Sequence, residues 1–232
     1  MAQRPIFIPI TSEKILVDTK IIDFTWHPGM SVSQKQKSII SLHKESDSLG
    51  IHPILEISTK SPITLGIKLS AFNLKLSINK LSNISVEASF QGSKVFQFGG
   101  PYRELYQLNG RQIKKDERLK NSGRITQFDL NGSIWPLYPT TVFYDWLYIN
   151  ALYQNPEFSK QLINYSGFSD IEFNPKKSIN CQARAAALYL SLFKRKLLEK
   201  SLSDKDTFLD ILSNKFCYSP DMRVENEQYK IF

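Results

Sequence analysis

The constraint that bears hardest on this chain is where its strand-forming and helix-forming segments fall. β-branched and apolar runs cluster before residue 80, at Ile6 to Ile10, Ile15 to Asp18, Ile21 to Trp26, Pro53 to Thr59 and Asn73 to Asn79. They return only around Asn131-Gly132, where Ile125 to Leu130 and Ser133 to Leu137 flank a dipeptide suited to the positive φ angles of a tight hairpin turn. From Thr140 the pattern is helical. Thr140 to Tyr153 is aromatic on nearly every side, as a buried helix requires, and Asn155-Pro156 puts proline at the favoured first position of another. Ala183, Ala186, Ala187 and Leu190 keep the spacing of one helix face, and Ser203 with Asp206 caps a last short helix. Earlier, Ser31 opens a polar helix that Gly50 closes. Strands grouped ahead of helices give a helix-rich α+β fold with a small antiparallel sheet.

Composition narrows the classes. With 232 residues, 41% hydrophobic and 12% aromatic, the chain can bury a sizeable core. It has no apolar run of membrane-spanning length and no secretory h-region at its start, so a cytoplasmic protein without membrane contact is expected. Cys181 and Cys217 make no disulfide framework, and His27, His43 and His52 form no ligand pattern, so neither a metal nor a cofactor is expected. The net charge of +8 suits a polyanionic partner. Arg111, Lys114, Lys115, Arg118, Lys120 and Arg124 form one basic cluster, and Lys176, Lys177 and Arg184 another. A solvated face explains either alone; two clusters flanking a polar pocket read as contacts to a phosphate backbone.

The stretch Ser85-Val86-Glu87-Ala88-Ser89-Phe90-Gln91-Gly92-Ser93-Lys94 carries the chemistry. Read as a helix ending at Phe98-Gly99-Gly100-Pro101, it stacks Glu87, Gln91 and Lys94 on one face with Phe90 beside them. Glu87 and Lys94 are then about 10 Å apart, suited to opposite ends of one small polar ligand. The same stripe is also what a solvated helix face looks like, with Ser85 as N-cap and Glu87 favouring the positive end of the dipole.

In its surroundings the stretch resembles the NADAR (NAD- and ADP-ribose-associated) family. A strand ending in Ile57-Ser58-Thr59 comes first, then Leu69-Ser70-Ala71-Phe72, then Glu87-x-x-Phe90-Gln91-x-x-Lys94, Trp135, and Asp170-Ile171-Glu172-Phe173 before Asn180. The resemblance covers roughly residues 52–198, leaving 1–51 as an N-terminal β/α extension and 199–232 as a C-terminal helix with a loose tail from 218. Phe173 stands where the family shows tryptophan, Asn174-Pro175-Lys176-Lys177-Ser178-Ile179 replaces a glycine-rich stretch, and residues 99–134 are expanded. These features look most like the NADAR antitoxins encoded beside DarT toxins, which ADP-ribosylate DNA.

The resemblance implies an N-glycosidase that removes ADP-ribose from guanine bases in DNA, releases ADP-ribose, and pairs functionally with a DarT-type toxin. Such a reaction passes through an oxocarbenium-like state that needs negative charge near the sugar and proton delivery to the departing base. Glu87, Lys94 and Asp170 are the expected catalytic groups. Lys94 either donates to the base or a sugar hydroxyl, or adds covalently to an opened ribose. Asp170 is the second carboxylate such sites use to hold an acid and a base together. Ser70, Phe72, Phe90, Gln91, Trp135, Phe173 and Asn180 are the expected substrate contacts, Trp135 and Phe173 as stacking faces. Lys114, Lys115, Arg118, Lys120, Lys176 and Lys177 are the expected nucleic-acid contacts. The competing readings are an N-glycosidase of a small nucleotide or riboflavin-pathway intermediate, and a non-catalytic ADP-ribose-binding module.

Overall fold

The computed structural model describes residues 1–12, 14–79 and 81–215, so the tail expected from residue 218 lies outside the described residues. Strand β1 (Ala2–Pro9) pairs antiparallel with β2 (Val17–Phe24) in unbroken register from Ala2↔Phe24 to Pro9↔Val17. The runs Ile15 to Asp18 and Ile21 to Trp26 are therefore one strand, because the ladder continues unbroken through the polar Asp18, Thr19 and Lys20. Helix α1 (Val32–Ser48) starts where Ser31 accepts from the Gln34 N–H, a cap worth about 1 kcal/mol, and gives way to Gly50 at φ +75°. Next come β3 (Ile54–Glu56), α2 (Thr64–Lys68), and the hairpin of β4 (Lys75–Ile78) with β5 (Leu81–Ser85).

Helix α3 (Val86–Gly92) follows, capped by Ser85 through the Ala88 N–H as expected. It is shorter than the sequence suggests, and β6 (Lys94–Phe96) follows directly. The chain is pulled out of the helix at its end: the Asp129 N–H donates to Ser93 O at 2.7 Å, Ser93 Oγ lies 2.8 Å from Tyr106 Oη, and Tyr106 packs against Gly92 so closely that a Cβ there would sit 2.6 Å from its ring. Lys94 is thus the first residue of a strand, not the last turn of a helix.

The expanded segment carries α4 (Gly110–Lys114), α5 (Arg118–Asn121), and the hairpin of β7 (Ile125–Leu130) with β8 (Ser133–Trp135). Its turn is the one predicted, with Asn131 at φ 52° and Gly132 at φ 97°. Helix α6 (Val142–Gln154) is buried nearly all round, and α7 (Pro156–Ser159) begins on its proline. Strand β9 (Gly167–Ser169), α8 (Gln182–Lys194), α9 (Leu198–Leu202) and α10 (Lys205–Asp210) complete the described chain. Asp204, rather than Ser203, caps α10 by accepting from the Thr207 N–H, because Ser203 closes α9.

The fold is α+β, with three small sheets. One has the order β2-β1-β9-β3, antiparallel except for the parallel β3·β9 pair; the hairpins β4·β5 and β6-β7-β8 form the others. Residues 1–51 and 52–198 share the first sheet, since β1 sits inside it between β2 and β9. Its two faces bury different layers. Ile6, Ile22, Phe24, Ile54 and Ile171 pack with Ile39 and Leu42 of α1, while Phe7, Val17, Leu55, Ile57 and Phe168 join the main core around α6 and α8. The Asp170 turn leaves this sheet at the end of β9, and the Ser70 segment and α3 face α6 from the other side.

Candidate active site

A short frame of hydrogen bonds ties the predicted residues together. Gln182, at the start of α8, donates from Nε2 to Ile57 O at 2.7 Å and to Asp170 Oδ2 at 2.9 Å, and accepts at Oε1 from the Ala71 N–H at 2.7 Å. The Ala71 carbonyl in turn accepts from the Glu87 N–H at 2.9 Å. Asp170 and Glu87, far apart in sequence, are thereby linked by three hydrogen bonds through Gln182 and Ala71. Within α3, Gln91 Nε2 donates to Glu87 Oε1 at 3.1 Å, so the amide orients the acid. Gln182 went unnoticed in the sequence, where it reads as one more polar position opening an alanine-rich helix.

Charge behaves unusually here. Lys94 is 2% exposed, its ammonium 4.9 Å from the centre of the Phe90 ring; burial pulls its pKa down to about 8 against the opposing pull of Glu87. Burial, then the nearby Glu56 carboxyl, raises Asp170 to about 8, although it accepts from the Glu172 and Phe173 N–H groups at 3.0 and 3.2 Å. Tyr144, on α6, has its hydroxyl pushed well above the usual tyrosine range by burial, and next by the Glu87 carboxylate, with Asp170 acting in the same direction. One phenol thus senses both acids. Glu87 is half-exposed while Lys94 and Asp170 are buried, Tyr144 packs edge-on against Phe90 at 5.3 Å, and the expected placing of Glu87 and Lys94 on one helix is replaced by a helix and the strand that follows it.

Two further predicted residues have polar atoms awaiting a partner. Ser70 Oγ and Asn180 Oδ1 are buried and make no hydrogen bond among the described residues. Asn180 is not the helix cap, a place taken by Cys181. Phe90 is buried in a cluster with Phe128, Phe143 and Tyr144, and forms the floor under Lys94.

Other expectations are corrected. Trp135 is 1% exposed, packed on Phe143, Trp146 and Phe208, with Phe143 between it and Phe90; it offers no open face for a base. Phe173 is likewise a core ring against Phe7, at 6.2 Å. Phe72 is half-buried, with Lys114 Nζ 5.0 Å above its ring. Arg118 is occupied by Asp116 and Glu104 and lies over Tyr102, and Arg184 is held by Asp145 at 2.7 Å inside the protein. Arg184 is an interior cation, and Arg118 is an exposed one already paired. Lys115, Lys120, Lys176 and Lys177 are exposed, the last two on the loop from Asp170 to α8, and Lys114 lies over Phe72, two residues past Ser70.

Phe98 also went unnoticed. It is 73% exposed at the tip of a tight turn closed by Phe96 N–H to Gly99 O at 2.7 Å, and its own N–H donates to Ser122 O at 3.0 Å. A separate open hollow of about 570 Å³ between β5 and residues 103–109 holds none of the predicted catalytic groups. Among the described residues no helix is long and apolar enough to cross a membrane, and no three His, Cys, Asp or Glu side chains gather as a metal site requires.

The fold is that of an α+β protein in which Glu87 and Asp170 are linked through Gln182 and Ala71, with Lys94 buried over Phe90. The family model for the DarT1-associated NADAR antitoxin matches residues 2–221, and the chain belongs to that family. The match takes in the N-terminal strands, in keeping with β1 lying inside the sheet. No curated protein matches the chain.

Proposed function

We propose that this antitoxin is a hydrolase that removes ADP-ribose from guanine bases in DNA, reversing the modification made by a DarT-type toxin. The observation that carries the reading is the hydrogen-bonded frame in which Gln182 and Ala71 link the buried Asp170 to Glu87, with Lys94 buried over Phe90 just past the helix that bears Glu87. Cleaving the N-glycosidic bond leaves positive charge on the anomeric carbon and negative charge on the base. Glu87, fixed by Gln91, stabilises the first and orients water onto the sugar. Asp170, holding a proton at neutral pH, delivers it to the departing guanine. Lys94, poised near pH 8 between ammonium and amine, engages the ribose as hydrogen-bond donor or as nucleophile towards its opened form. Water supplies the hydroxyl that ends on the sugar, its second proton passes to Glu87 and is returned to Asp170, and the base leaves with the proton Asp170 gave.

The exposed Lys114, Lys115, Lys120, Lys176 and Lys177, with Phe98 as a stacking face, suit single-stranded nucleic acid better than a free nucleotide. The test is to mix the protein with guanine- and thymine-ADP-ribosylated single-stranded oligonucleotides and follow the mass of each strand. Loss of the modification from guanine alone is expected; loss from neither at high protein concentration overturns the proposal.

A further inference from the structure

A second buried acid stands behind Asp170, and neither the family match nor the site chemistry accounts for it. Glu56 is fully buried in β3, at a position whose strand alternation calls for an apolar residue: Ile54, two positions earlier on the same face, packs into the layer under α1. Its carboxyl is fully engaged. Oε2 accepts from Ser169 Oγ at 2.5 Å and Oε1 from the Ile171 N–H at 2.9 Å, and the Ser58 hydroxyl bonds it as well. Ser169 Oγ also lies 2.8 Å from His43 Nε2 of α1. With Ser169 donating to Glu56, His43 Nε2 carries the hydrogen and donates to Ser169, and burial, lowering the imidazole to about 4, keeps it neutral.

These bonds close on both sides of Asp170, since Ser169 precedes it and Ile171 follows. We propose that Glu56 is a positioning residue of this site: it clamps the turn that presents Asp170, and the two buried carboxyls share a single proton. Neither acid is in an ion pair among the described residues, and two such groups cannot both ionise in so dry a place. Of the other charged or titratable groups facing the pair, Glu172 raises both carboxyls. Arg4 of β1 is drawn by Asp170 and Glu172, Glu172 is itself paired with Lys35 of α1 at 3.0 Å, and Cys181, Tyr144 and Tyr148 approach from α8 and α6 without carrying charge at neutral pH. Burial raises Glu56 as it raises Asp170, in keeping with a shared proton.

The catalytic consequence rests on the glycosidase reading; the proton sharing does not. The experiment is a pH titration of ¹³C-labelled carboxyl groups by NMR in the wild type, Glu56→Gln and Asp170→Asn. The Asp170 resonance is expected to titrate near pH 8 in the wild type and more than about one pH unit lower in Glu56→Gln, whose amide still accepts from Ile171. The Glu56 resonance is expected to fall likewise in Asp170→Asn, a reciprocal measurement that stands if Glu56→Gln does not fold. Unchanged midpoints overturn the inference. With a modified oligonucleotide, the alkaline limb of kcat/KM is expected to follow the NMR midpoint, with about fivefold or greater loss at pH 8 in Glu56→Gln and little change in KM. Shifted titrations without turnover in any protein leave the shared proton standing and remove the glycosidase reading. Turnover with unshifted titrations does the reverse.

Discussion

Gln91 donates from Nε2 to Glu87 Oε1 at 3.1 Å, one turn away on the same helix, and so fixes the half-exposed acid on which the proposed chemistry depends. Glu87→Gln is expected to abolish turnover while ADP-ribose still binds. Gln91→Leu, which keeps the acid and frees its rotation, is expected to lower kcat by about 10-fold to 100-fold with a smaller change in KM. Steady-state kinetics on the modified oligonucleotide, beside calorimetric binding of ADP-ribose, separates the two.

Lys94 trades stability for chemistry. Its folded pKa of about 8 lies below the 10.5 of an exposed lysine, so between these values the unfolded chain holds more protons and stability rises with pH. At pH 7 the buried charge costs about 3 kcal/mol. Lys94→Met is therefore expected to be inactive yet more stable at pH 7, on the order of 1–3 kcal/mol, with the gain shrinking towards pH 10. Urea unfolding at the two pH values checks this; equal gains at both would contradict it.

Salt dependence sorts the cations. Replacing Lys120, Lys176 or Lys177 by alanine is expected to reduce the slope of log affinity against log salt by about 0.7 each for single-stranded DNA. Arg118→Ala, which loses exposed bonds to Asp116 and Glu104, is expected to leave the slope unchanged and to cost at most about 1 kcal/mol of stability. Fluorescence anisotropy over a salt series reads both.

Arg184 belongs to the interior. Its partner Asp145 is 1% exposed and also accepts from Thr141 Oγ1 at 2.7 Å, so removing the cation strands a buried carboxylate. Arg184→Met is expected to destabilise the protein by about 3 kcal/mol without altering the salt slope, measured by denaturant unfolding and the same anisotropy series.

Local signals in the sequence translate directly into structure. Asn131-Gly132, Ser31, Ser85 and Pro156 all do what their chemistry dictates, since a turn or cap is decided within a few residues. Lys94 shows where that logic ends: seven residues of good helix spacing are overruled by Tyr106 and Asp129, groups 12 or more residues away. The role of Trp135 was hidden for the same reason, because burial under Phe143 depends on how β8 meets α6. Glu56 did leave a trace, an acid inside an otherwise apolar strand, but its meaning emerges only when β3 lies parallel to β9 and Ser169 comes opposite. Glu87, Lys94 and Asp170 were legible as part of an ordered motif series, and the device holding Asp170 was not, since its members come from α1, β3 and β9.

The position of β1 between β2 and β9 also governs when the molecule can become competent during synthesis. Ile6 pairs with Ser169, so the strand made first waits for one made near the end before its free edge is covered. Until β9 has left the ribosome, the turn bearing Asp170 does not exist and the β1–β2 hairpin offers an open ladder to chaperones or stray strands. Translation arrested short of that point leaves an unfinished sheet.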